Sequence, residues 1–166
     1  MNWRPEALPP NVLGFLRDRH LATLTTLRDG GSPHVVPVGF TFDPDTATAR
    51  VITFAASVKA ANAALGGDER AVRTNDTSDA GAPRPHRGRD DAPDRAGLVG
   101  RGLRRAALCQ VDGRRWVTLE GTVRLVDDPA VIDATVAAYA VRYRQPGQRT
   151  DRVVIEIAVD RVMGRC

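Results

Sequence analysis

Apolar residues recur along this chain with two periods. Val12, Leu13, Phe15 and Leu16 fall on one side of residues 9–19, the spacing of a short amphipathic helix. From His20 to Arg28 the pattern changes to leucine and threonine, and Asp29-Gly30-Gly31-Ser32 supplies hairpin chemistry. A second apolar run passes through Val35, Val36, Val38 and Phe40, and a turn at Asp43-Pro44-Asp45 leads into Ala49–Phe54. Three strands in succession predict a β-meander. Ser57 then reads as the N-cap of an alanine-rich helix that Gly66-Gly67 stops. Strands at 105–111 and 115–126 flank an Asp112-Gly113 turn, and Asp127-Asp128-Pro129 opens a helix through Tyr143. In that helix Val131, Thr135, Ala138 and Tyr139 recur at helical spacing. Arg152 to Met163 alternates Val153, Ile155, Ile157 and Val159 with Arg152, Glu156, Ala158 and Asp160, which predicts one buried face.

Residues 68–104 break both periods. They are packed with Arg, Asp, Gly and Pro, and their large aliphatics are Val72, Leu98, Val99 and Leu103. Such a stretch buries too little to offset its ordering entropy, so it reads as a disordered insertion within a single domain spanning 1–166. Its role stays open between a lid, a partner-binding tail and an artefact of the reading frame.

Composition narrows the class. The 166 residues are 42% hydrophobic and 27% charged, a globular balance, with no apolar run of membrane-spanning length and no signal-peptide start. Cys109 and Cys166 form no metal-ligand spacing, so a soluble protein of the reducing cytoplasm is expected. The net charge of +4 raises a nucleic-acid partner, yet acidic residues interrupt the basic ones throughout 68–104, which argues against one.

Of the 24 basic residues, all but Lys59 are arginine. An ammonium is a compact point charge where guanidinium is a planar fork, so a lone lysine is either a chance survivor or is needed as a lysine. Ser57-x-Lys59-x-x-Asn62 follows a strand and opens a helix, which reads either as an N-cap serine followed by a solvated lysine or as a phosphate site. A hydroxyl, an ammonium and helix-start N–H groups would there converge on a phosphate. His20, His34 and His86 make no metal site, and no Ser-His-Asp or Cys-His pairing is apparent.

Seven segments then carry a family likeness: 19–28, Ser32-Pro-His-Val-Val-Pro-Val-Gly-Phe-Thr-Phe-Asp-Pro44, 49–53, Ser57-x-Lys-Ala-x-Asn62, Gln110-Val-Asp-Gly-x-Arg-Trp116, Leu119-Glu-Gly121 and Arg152–Glu156. The chain resembles the flavin and deazaflavin oxidoreductases with the pyridoxamine 5′-phosphate oxidase-like split barrel. Within them it looks most like the branch that uses coenzyme F420, of the biliverdin reductase type. The insertion at 68–104 has no counterpart in that family pattern.

The resemblance implies a mainly β, α+β fold: a six-stranded antiparallel split β-barrel with a few short helices, homodimeric, with cofactor grooves between subunits. It places Lys59, Ser57 and Asn62 at the cofactor phosphate, and Val36 and Pro37, with Thr53 across the sheet, at the tricyclic ring. Trp116 begins the strand similar to the family's partner-side wall, either against the ring's edge or in the dimer interface. Arg142 and Arg144, with Arg149 and Arg152, are candidates for the charge that meets the oligoglutamate tail, or alternatively a solvated helix end. The implied activity is hydride transfer from reduced F420 to a conjugated small molecule, with biliverdin the specific expectation. An FMN-dependent pyridoxamine 5′-phosphate oxidase-like enzyme and a non-catalytic deazaflavin- or tetrapyrrole-binding protein are the alternatives.

Overall fold

In a computed structural model, which describes residues 1–65 and 104–166, the elements follow the two periods closely. After a two-residue strand β1 (Asn2–Trp3) come α1 (Pro10–Arg17), β2 (Ala22–Leu27), β3 (Pro33–Val38), β4 (Thr41–Asp43), β5 (Thr48–Phe54) and α2 (Val58–Ala64). The chain continues through β6 (Arg105–Asp112), β7 (Arg115–Val126), α3 (Pro129–Arg142) and β8 (Arg152–Arg165). Local chemistry sets the boundaries. The Ser57 Oγ accepts from Ala60 N at 3.3 Å to cap α2, and Asp128 Oδ1 accepts from Ala130 N at 2.8 Å to cap α3. Gly31 and Gly113 take positive φ in the two hairpin turns.

All strand pairs are antiparallel, in the order β3-β2-β6-β7-β8-β5-β4, with β1 added to β8. Among the described residues the sheet therefore has eight strands rather than the expected six, and it is open: β3 and β4 form its two edges and do not pair. The expected meander is also corrected. The apolar run from Pro33 to Phe42 breaks at Gly39-Phe40, where the chain leaves one edge of the sheet and enters the other. Gly39 permits that crossing, because a Cβ there would stand 2.6 Å from the ring of Tyr139.

The inner face of the sheet holds the core, in which Phe15 and Leu16 of α1 meet Leu24, Phe40, Leu108, Leu119, Ile155 and Ile157. The helix α2 ties across the split, since Asn62 Nδ2 donates to Thr26 Oγ1 at 2.9 Å and so joins the element after β5 to β2. At the β7 bulge Gly121 lies against β8 so closely that a Cβ would meet Ala158 O at 2.0 Å.

Two further expectations change. In β8 both faces are buried from Val153 to Ile157, so Glu156, expected on an open face, is enclosed. It is held by Arg50 Nε at 2.9 Å from β5 and by Arg124 Nε at 2.8 Å from β7, its register neighbours. In α3, Thr135 is buried and Tyr139 half-buried, but Ala138 stays exposed; the alanines are too short to close a groove of about 310 Å³ over Thr41 and Arg50. The expected insertion lies outside the described residues except Arg104. That arginine belongs to the fold, donating to Arg28 O at 3.0 Å and to Asp29 at 3.0 Å in the β2–β3 turn. Among the described residues no helix is long and apolar enough to cross a membrane.

Candidate cofactor site

The end of β5 and the start of α2 bring the Thr53 and Ser57 hydroxyls together, with Lys59 two residues further on in α2. Thr53 and Ser57 are buried, with their hydroxyl oxygens 3.1 Å apart, and the Ser57 oxygen also caps the helix. Two hydroxyls that share one hydrogen bond leave one proton for an outside acceptor. The Lys59 ammonium lies over the Phe54 ring, and no carboxylate lies within ion-pair distance of it among the described residues. Burial of its stem pushes the ammonium below its ordinary pKa. A partly desolvated cation without a counter-charge fits an anion supplied from outside, and a phosphate in particular.

Phe54 was not singled out from the sequence, and it organises the charge here. The Lys59 ammonium lies 5.7 Å, and the Arg149 guanidinium 4.7 Å, from the centroid of the Phe54 ring. Arg149 also grips Asp151 with two hydrogen bonds, at 2.8 and 3.0 Å. A cavity of about 680 Å³ opens alongside, between α3 and residues 145–152, with Arg149 and Arg152 on its wall. An aromatic at the strand end, five residues before the lone lysine, was the available signal.

The other expected residues are distributed more widely. The Asn62 amide is buried and spent on Thr26. Val36 and Pro37 point to opposite faces of β3, Val36 toward the core and Pro37 outward, because side chains alternate along a strand. Thr53 is not their sheet neighbour, since β2, β6, β7 and β8 intervene between β3 and β5. Trp116 is half-buried opposite Val111 in the β6–β7 register.

The arginines of α3 divide. Arg142 turns inward: it donates to Asp18 O at 2.9 and 3.1 Å, to Phe40 O at 2.6 Å and to Gln110 Oε1 at 2.7 Å, and it stacks over Phe40 at 4.3 Å. Its fork is committed to the fold. Arg144 lines a separate cavity with Arg19, Leu21, Tyr139 and Tyr143. Among the described residues there is no cluster of His, Cys, Asp or Glu able to hold a metal.

No family model matches the chain. Known proteins do resemble it. It is 42% identical to an F420H(2)-dependent biliverdin reductase of Mycobacterium tuberculosis over 157 residues, which covers 95% of this chain and 88% of that protein. Among solved structures, a conserved hypothetical protein of M. tuberculosis superposes with a TM-score of 0.61 at 17% identity, covering 95% of this chain and 84% of the other. An F420 reductase does so with a TM-score of 0.58 at 18% identity, covering 94% and 98%. A pyridoxamine 5′-phosphate oxidase-like protein of Listeria innocua gives 0.56 at 13% identity, covering 93% and 94%. These structures share the fold. With the sequence identity sustained along nearly its whole length and the open antiparallel sheet to match, the chain belongs to the F420-dependent reductases of the pyridoxamine 5′-phosphate oxidase-like split-barrel family.

Proposed function

We propose that this protein is a cytoplasmic, homodimeric reductase that uses reduced coenzyme F420 to reduce a conjugated small molecule of the biliverdin kind. The single observation that carries the reading is the partly buried ammonium of Lys59, which lies over Phe54 and has no ion-pair partner among the described residues. A phosphate is the anion this arrangement suits, with Lys59 as its point charge and the Ser57 hydroxyl as a neutral donor. Arg149, held over the same ring as Lys59 and facing the 680 Å³ cavity, supplies charge beyond the phosphate, where an oligoglutamate tail needs it.

When bound, the reduced deazaflavin supplies the hydride; the protein binds it, orients it and excludes water. The homodimer draws support from the outer face of β3, β2 and β6. Val35 is 56% and Val111 55% exposed, with Thr23, Pro37 and Cys109 between them in register and Trp116 beyond. These uncharged residues suit a second copy of the chain, and they include Pro37 and Trp116, two residues expected near the ring.

Fluorescence titration tests the reading. F420 should bind more tightly than FMN, and Lys59→Ala should weaken F420 by about ten- to hundredfold, the loss of a charged hydrogen bond of ~1.5–3 kcal/mol. Equal F420 affinity in wild type and variant would overturn the assignment of Lys59. Tight FMN binding with no F420 binding would overturn the cofactor.

A further inference from the structure

The C-terminal end of α3 is fastened to the link between α1 and β2 more heavily than its length requires. Tyr143 Oη donates to His20 O at 2.7 Å and accepts from Phe40 N at 3.3 Å. Arg142 reaches Asp18 O, Phe40 O and Gln110 from the next residue, and the Tyr139 ring fills the space that the missing Cβ of Gly39 leaves. These bonds hold open a concavity of about 400 Å³ lined by Arg19, Leu21, Tyr139, Tyr143 and Arg144. The two tyrosine rings are 4.7 Å apart between centroids and inclined by 31°. Burial raises the Tyr143 phenol, so it stays neutral.

The charge in this pocket is unbalanced. Arg19 and Arg144 make no hydrogen bond and no ion pair among the described residues, whereas their neighbour Arg142 spends its donors entirely within the fold. Two open guanidinium forks, the rims of two tyrosine rings that pack on each other, one of them also under Arg142, and one apolar leucine match a particular ligand chemistry. Forks recognise carboxylates bidentately, and the rims of aromatic rings pack edge-on against a conjugated plane.

We infer that this pocket binds the carboxylate-bearing end of the conjugated substrate, with Arg19 and Arg144 as the residues that select an anionic substrate over a neutral one. The inference rests on the reductase reading above. At about 400 Å³ the pocket holds a ring with its acidic side chain and leaves the remainder of a linear tetrapyrrole outside. Leu21, 60% exposed at its rim, leads onto the outer face of β2 that carries Thr23, so the pocket adjoins the surface proposed to meet a second subunit.

The experiment uses the whole protein without cofactor, titrated with biliverdin and followed by the chromophore's absorbance. Wild type should bind biliverdin. Arg19→Gln with Arg144→Gln together should weaken it at least tenfold, each single change should act in part, and biliverdin dimethyl ester should bind wild type as weakly as biliverdin binds the double variant. Melting temperature should be unchanged in all three variants, because both side chains are exposed and neither hydrogen-bonds a neighbour among the described residues. Equal biliverdin affinity in wild type and double variant, an ester bound as tightly as the acid, or no binding by wild type would each overturn the inference. The reductase reading fails separately, through loss of F420 binding by wild type.

Discussion

Lys59 and Arg149 are held over one aromatic ring, that of Phe54, at 5.7 and 4.7 Å from its centroid. The two cations are 90 residues apart in sequence and arrive from different elements, the start of α2 and the segment before β8. Phe54 is 37% exposed, so it contributes little as core and more as a platform for charge. A cation over an aromatic face gains ~0.5–1 kcal/mol at an exposed site. Phe54→Leu should therefore leave the melting temperature within a few degrees of wild type and weaken F420 several-fold. A titration showing full affinity in the variant would mean that the ring does not position the cations.

The alkaline limb of cofactor binding should belong to Lys59. Burial lowers its pKa, so in the free protein the ammonium is lost at lower pH than an ordinary lysine loses it. Affinity for the phosphate should be full below that lowered value and fall as pH rises through it. Lys59→Arg, which keeps its charge throughout the accessible range, should move the fall to higher pH even if its affinity at neutral pH is lower. Superimposable alkaline limbs in F420 titrations of the two proteins would contradict this.

Glu156 supplies a stability that acid removes. Burial pushes its carboxyl up, but hydrogen bonds from Arg124 and Arg50 outweigh burial and hold it below the usual glutamate value. A carboxylate with a lowered folded pKa contributes fully above its unfolded value, ~4.3, and loses the contribution as pH falls through the folded value. Breaking a buried pair costs ~3–5 kcal/mol, and the exposure of Arg124 reduces this to roughly 1–3 here. Denaturation curves of wild type and Glu156→Gln should differ by that amount near neutral pH and converge in acid. A constant gap at every pH would show that charge is not its source.

Arg142 should behave as a structural residue. Its removal leaves the fully buried Gln110 with an unpaired Oε1, frees the carbonyl of Phe40 and leaves that of Asp18 only the His20 N–H. Arg142→Ala should cost ~2–4 kcal/mol, and Arg142→Lys should recover little of it, because one ammonium cannot span three acceptors. Urea unfolding provides the number. A variant of wild-type stability would return Arg142 to the list of side chains free to meet a ligand.

What could be read from the sequence was local. Ser57 and Asp128 are caps because a short oxygen side chain precedes a helical run, and Asp112-Gly113 is a hairpin because only a residue without Cβ takes its φ easily. Lys59 stood out because arginine replaces lysine everywhere else. The crossing at Gly39 was hidden inside an unbroken apolar run, and its cause, the Tyr139 ring, lies 100 residues later. Glu156 looked like an exposed position because its partners, Arg50 and Arg124, are 106 and 32 residues distant. The pocket between Arg19 and Arg144 was equally hidden, since it exists only where the end of α3 meets the link after α1.

The reaction itself is tested by mixing wild-type protein anaerobically with reduced F420 and biliverdin and following the return of oxidised deazaflavin absorbance against a protein-free control. Reduced F420 should be oxidised catalytically and stoichiometrically as biliverdin is consumed, more slowly at limiting cofactor in Lys59→Ala. Consumption of biliverdin with NADPH or reduced FMN but not with reduced F420, or no turnover above the control, would contradict it.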